Sequence, residues 1–123
     1  MPNVSKTDAG LPVEGSLPQY GAAAALAAAG TVIGNATAVA ARFSTVSGAD
    51  DAKGVILPST ASPGDEYLLY NEHATAGLKC YPHVNGDIND GSANAAVVIE
   101  GKTLARFIRM NDATWAGAFT ANA

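Results

Sequence analysis

Gly54-Val55-Ile56-Leu57-Pro58, Gly64-Asp65-Glu66-Tyr67-Leu68-Leu69-Tyr70-Asn71 and Gly77-Leu78-Lys79-Cys80-Tyr81-Pro82 are short apolar runs, each closed by Gly, Pro or Asn. The same punctuation continues through Asn85-Gly86-Asp87-Ile88-Asn89, Asn94-Ala95-Ala96-Val97-Val98-Ile99 and Thr103-Leu104-Ala105-Arg106-Phe107-Ile108. Runs of this length, rich in β-branched and aromatic residues and bounded by turn formers, read as strands. Turns fall at Gly48 to Gly54, Pro58 to Gly64 and Asn71 to Gly77. Strands repeating at such spacing indicate a mainly β chain, an antiparallel β-sandwich or barrel-like domain. Asp112-Ala113-Thr114 leads into a last strand, whose Trp115 is expected to close one end of the core.

Working outward, Thr37, Val39, Ala41, Phe43 and Thr45 alternate with Ala38, Ala40, Arg42 and Ser44. Period two predicts a half-buried strand, with Phe43 and Arg42 on opposite faces. Before it, Ala22 to Ala29 has strong helix propensity but is too short to be stable uncapped. A short helix and a small-residue strand or loop packed close to another chain both remain open there. Residues 1–21 carry Pro2, Pro12 and Pro18, which remove backbone donors and push their predecessors into extended conformations. The expected organisation is an extended N-terminal arm (1–21), an Ala/Gly-rich connector (22–35), a β-domain (36–119) and a small polar tail (120–123). The arm spaces the apolar residues Leu11, Val13, Leu17 and Tyr20, expected to order against a partner.

At 123 residues the chain suits one domain able to bury a core without metals or disulfides. Much of its 48% apolar content is alanine, so the core must come from the larger side chains after Ala36. The charged fraction is 15%, below the roughly 25% usual for soluble domains, as suits a surface partly covered by partners. The net charge of −4 and the lack of a basic stretch argue against nucleic acid. Lys102, Arg106 and Arg109 form the densest cationic group and read as a solvated strand face. Ala22 to Ala41 is too poor in large apolar residues and too broken by Gly for a membrane span. No targeting segment is expected, since the leading residues are proline-rich and carry Asp8 and Glu14.

Little is set aside for chemistry. Cys80 is the single cysteine; it shares a strand face with Leu78 opposite Lys79, which predicts a buried, inert thiol. His73 and His83 are too few and too far apart for a zinc site, and His83, after Pro82 at a strand end, is expected to be exposed. Asp87-Ile88-Asn89-Asp90-Gly91 places glycine fifth and leaves Val98 at the twelfth position of a calcium loop, so a polar turn fits better. Asp65 and Glu66 are adjacent and point to opposite faces of a strand. No phosphate loop or nucleophile elbow is present. The expectation is a non-enzymatic chain without cofactor or metal.

The order Gly-Val-Ile-Leu-Pro (54–58), Pro-Gly (63–64), Tyr-Leu-Leu-Tyr-Asn (67–71), Leu-Lys-Cys-Tyr-Pro (78–82), Gly-Asp-Ile-Asn (86–89), Ala-Asn-Ala-Ala-Val-Val-Ile (93–99), Arg-Phe-Ile (106–108) and Trp115 is similar to small capsid decoration (cement) proteins of tailed bacteriophages. It also resembles related β-modules of head fibres and tail appendages. The resemblance covers roughly half the chain, and its motifs are turns and strand cores. It implies a trimerising β-domain on the outer capsid surface of the virion, made in the host bacterial cytoplasm. The partners would be the major capsid protein and copies of itself, with no membrane. Leu11, Val13, Leu17 and Tyr20 are the expected partner-binding residues. The alternative is a receptor- or glycan-binding module of a phage head or tail fibre, using exposed aromatics such as Tyr70 and Tyr81.

Overall fold

The fold is described from a computed structural model for residues 21–119. The arm anchors Leu11, Val13, Leu17 and Tyr20, and the tail 120–123, lie outside the described residues. Ten strands follow in order: β1 (Ala24–Ala27), β2 (Thr37–Ala38), β3 (Phe43–Ser47), β4 (Gly54–Ile56), β5 (Glu66–Asn71), β6 (Leu78–Tyr81), β7 (Asp87–Ile88), β8 (Val97–Ile99), β9 (Leu104–Arg109) and β10 (Thr114–Ala118). No α-helix occurs among the described residues; a single 3-10 turn spans Ile33–Asn35.

The strands form two sheets, β1-β3-β5-β9-β10-β7 and β2-β4-β6-β8. From β1 to β9 each strand lies in the sheet opposite to its predecessor. The chain thus runs along the larger sheet, crosses to the smaller one, and returns. Parallel neighbours need a crossover between them. Here a strand of the opposite sheet provides it, so β1-β3-β5 and β2-β4-β6 are parallel runs. β9 then pairs antiparallel with both β5 and β10, β8 pairs antiparallel with β6, and β7 runs parallel to β10. The sheets are therefore mixed, where the turn spacing predicted antiparallel pairing. Gly, Pro and Asn mark where the chain reverses; they do not say which strand it meets next.

Two local expectations change with this winding. The alternation from Thr37 to Thr45 is one periodic run in sequence but two strands in different sheets. Phe43 consequently lies on the outer side of β3, while Ser44 and Val46 turn inward. Ala24–Ala27, expected within the connector, forms the edge strand β1 beside β3. The open choice between helix and strand is thus decided by pairing, and an alanine strand has little side chain to bury by itself.

One core lies between the sheets. The larger sheet contributes Val46, Tyr67, Leu69, Ala105, Phe107 and Trp115, and the smaller one Val55, Leu78, Cys80 and Ile99. Tyr67, Leu69 and Asn71 alternate inward along β5, as do Ala105, Phe107 and Arg109 along β9. Phe107 and Trp115 are fully buried, and burial of a large apolar side chain contributes about 1.5–3 kcal/mol. Gly117 sits where a Cβ would press into the Phe107 ring at 2.8 Å, so β10 can approach β9 only with glycine there.

Candidate interaction surfaces

The parity of β9 carries Arg109 into the same inward row as Ala105 and Phe107. Its guanidinium donates to the carbonyls of Ser59 (3.0 Å), Ala61 (2.9 Å), Asn111 (2.9 Å) and Asp112 (2.6 Å). It also lies 5.6 Å from the centre of the Trp115 ring, a cation–π arrangement. Arg109 is thus buried, and the expected solvated row Lys102, Arg106 and Arg109 does not exist. Lys102 occupies a turn at φ +58°, Arg106 points outward, and Arg109 points inward.

His83 packs against the same indole. The Trp115 Nε1–H donates to His83 Nδ1 at 3.0 Å, and Arg109 Nη2 lies 3.4 Å from Nε2. His83 is 8% exposed, so burial corrects its expected exposure. A Cβ on Gly86 would fall 2.5 Å from the His83 ring, so the chain passes close over it. Burial holds the imidazole below its ordinary pKa, and the neighbouring Arg109 cation pushes the same way. The Asp112 carbonyl acts in the opposite direction and more weakly. With Trp115 at Nδ1 and Arg109 beside Nε2, both ring nitrogens of His83 face protein groups, and the residue closes this end of the body.

Beside this cluster an apolar groove of about 340 Å³ opens among Val39, Ile56, Leu57, Pro58, Thr60 and Val84. Val84 is 56% exposed on its rim. The groove sits where β2, β4 and β6 end, and the Arg109 bonds to Ser59 and Ala61 fix the loop that walls it.

A second surface is the outer face of the larger sheet. Register places Phe43 beside Leu68, Leu68 beside Arg106 and Arg106 beside Ala118. The next rows set Tyr70 beside Leu104, Glu66 beside Ile108, and Ile108 beside Ala116. Leu104 is 53% exposed. Arg106 and Glu66 form an ion pair across this face. A shallow depression of about 200 Å³ lies over Ile108 and the small residues Ala116, Gly117 and Ala118. Contiguous apolar residues on an outer sheet face mark contact sites more often than solvent-facing ones.

The other sequence candidates take local roles. Asp65 pairs with Arg42 at 3.1 Å while Glu66 pairs with Arg106, so the adjacent carboxylates diverge as expected. His73 Nδ1 accepts from the backbone N–H groups of Thr75 and Ala76, closing a turn. Asn89 accepts from the Gly117 N–H and donates to the Gly117 carbonyl, with Asn89 and Asp90 both at positive φ, as a polar turn requires. Cys80 is fully buried, and burial drives its thiol pKa far up, matching the inert reading. Tyr81 is 7% exposed and its hydroxyl donates to the Thr31 carbonyl, which removes it from the expected exposed aromatics.

Among the described residues no three His, Cys, Asp or Glu side chains gather to hold a metal, and no helix is long and apolar enough to cross a membrane. Sequence reasoning missed the Arg109–His83–Trp115 cluster. The available signal was parity, because Arg109 lies two residues beyond Phe107. Compared with known proteins, the chain matches no family model, no curated protein and no solved structure.

Proposed function

We propose that the chain is a structural virion protein, a capsid decoration or cement protein that binds the outer head surface as a trimer. The observation that carries this reading is the outer face of the larger sheet, where Phe43, Leu68, Tyr70, Leu104 and Ile108 lie around the Arg106–Glu66 ion pair. A face of that kind favours association with copies of the chain. On this reading the two sheets are a β-sandwich, and residues 1–21 are an arm that reaches the major capsid protein through Leu11, Val13, Leu17 and Tyr20. The resemblance of the segment from Gly54 to Trp115 to phage decoration modules supports the same reading. Symmetric attachment through an arm multiplies weak contacts without chemistry.

The mass of the full chain in solution and its co-sedimentation with phage heads test the proposal. A trimer that dissociates in Leu104→Glu and sediments with heads is expected. A stable monomer that stays in the supernatant overturns it. A receptor- or glycan-binding module is the second reading, favoured by Tyr70 on the outer face. It predicts glycan binding by the isolated protein, lost in Tyr70→Ala.

A further inference from the structure

We propose that His83 is an acid-operated latch: protonation drives its imidazole out from between Trp115 and Arg109 toward Asp87, and uncovers the Trp115 indole at the groove.

Both side chains that meet the ring nitrogens are donors. The Trp115 Nε1–H points at Nδ1 from 3.0 Å, and Arg109 Nη2 stands 3.4 Å from Nε2. An indole and a guanidinium donate and cannot accept. A neutral imidazole keeps one lone pair, which takes one of them. An imidazolium has an N–H at both positions and no lone pair left. Uptake of one proton from solvent therefore sets N–H against N–H at Trp115 and places a second cation beside Arg109. The Asp112 carbonyl, the acceptor at this ring, already takes the Arg109 Nη2–H at 2.6 Å. Burial and then Arg109 hold the ring below its ordinary pKa, so the latch is closed at neutral pH and opens as pH falls.

The surrounding groups give the ring a destination. β9 presents the Arg109 cation and β7 the Asp87 carboxylate. The turn after β9 presents the Asp112 carbonyl, with that residue exposed. β10 presents Trp115 and Thr114, and the loop after β4 presents Ser59 and Thr60, all uncharged. Asp87 is the anion of this set that favours the imidazolium. Its Oδ1 accepts from the Thr114 hydroxyl at 3.1 Å, while its Oδ2 is buried without a partner. A buried carboxylate oxygen left unmet is costly, and a charged N–H donor satisfies it.

The local chain permits the movement. His83 opens a turn closed by the Gly86 N–H on its carbonyl at 2.8 Å; Pro82 before it is fully buried, and Val84 and Asn85 within it are exposed. A Cβ on Gly86 would fall 2.5 Å from the ring, so glycine, immediately before Asp87, keeps that side clear. His83 and Val84 both line the groove, so departure of the ring extends the groove to the indole.

The test is acrylamide quenching of Trp115, the single tryptophan and fully buried, in the full chain from pH 7 to 5. Far-ultraviolet circular dichroism is followed in parallel. The quenching constant is expected to rise about threefold or more as pH falls, while the β-sheet signal stays constant. His83→Gln keeps an oxygen for the Trp115 donor and should hold the constant flat. His73→Gln, in the turn after β5, should leave the rise intact. Asp87→Asn retains an oxygen for Thr114 and should move the midpoint down by about half a pH unit or more. In the unaltered chain the His83 Cε1–H resonance should titrate with the same midpoint as the quenching. Quenching that ignores pH, that rises equally in His83→Gln, that appears only with loss of the β-sheet signal, or that departs from the His83 titration overturns the latch. An unmoved midpoint in Asp87→Asn overturns the pairing with Asp87.

Discussion

Where β5 ends, a neutral amide closes the body; where β5 begins, a cation does. Asn71 is fully buried, donates from Nδ2 to the carbonyls of Ala76 and Ile99, and accepts at Oδ1 from the His73 N–H. Its main chain bonds Thr103 and Lys102 as well, so one residue ties the connection from β5 to β6 to the one from β8 to β9. At the other end Arg109 binds four carbonyls, and His83 stays neutral beneath Trp115. Asn71 and Arg109 each have their side-chain groups met, but near Arg109 the Oδ2 of Asp87 is buried without a hydrogen-bond partner. Only the Arg109 end combines a buried charge, a desolvated titratable ring and an open apolar groove. A buried amide serves packing at little electrostatic cost, whereas a buried cation must be enclosed by several acceptors. The loops around Arg109 are held by that enclosure and shape the groove.

Removing the cation is the strongest challenge to this contrast. Arg109→Ala leaves the Ser59, Ala61, Asn111 and Asp112 carbonyls without their donor and is expected to cost about 3–4 kcal/mol in urea unfolding. Trp115, the single tryptophan, reports that transition by fluorescence. Asn71→Ala removes fewer bonds at the opposite end and is expected to cost about 2 kcal/mol. If Asn71→Ala proves the more damaging, the two ends do not differ as described.

Acid separates the ends without touching packing. The folded-state pKa of His83 lies below its ordinary 6.5, so the unfolded chain takes up that proton first. The stability tied to neutral His83 is complete above that value and declines as pH falls through it. His83→Gln should flatten the loss of stability between pH 7 and 5, while Asn71→Ala should retain it. Equal slopes in both variants would remove His83 from the account. The smallest effect belongs to the groove rim. Val84→Asp is exposed and should change stability by less than about 0.5 kcal/mol, measured by the same unfolding curves. A larger loss would mean that the rim belongs to the fold and not to a contact surface.

Strand positions were largely legible. The runs beginning at Gly54, Gly64, Gly77 and Thr103 contain β4, β5, β6 and most of β9, and the three turns fall between the expected strands. Cys80 and Leu78 face inward and Trp115 fills one end, as their local pattern predicted. Burial of His83 and Tyr81 was not legible. Pro82 and a strand end suggest solvent, but the residues covering His83 and Tyr81, Trp115 and Thr31, lie 32 and 50 positions away in the chain. Lys102, Arg106 and Arg109 look alike in sequence, and only the turn at Lys102 and the phase of β9 send them to three environments.

By itself the sequence determined a mainly β chain, the places where it turns, the alternation within its longer strands and its scarcity of charge. These follow from backbone preference and side-chain period, which act over a few residues. Tertiary structure alone decided that consecutive strands alternate between two sheets, and that an alanine run becomes an edge strand. It also decided that a strand-end arginine is buried under carbonyls from one distant loop as well as from the turn just after it. Those outcomes depend on which surfaces meet once the chain is closed, and residues far apart in sequence carry no local mark of their partners.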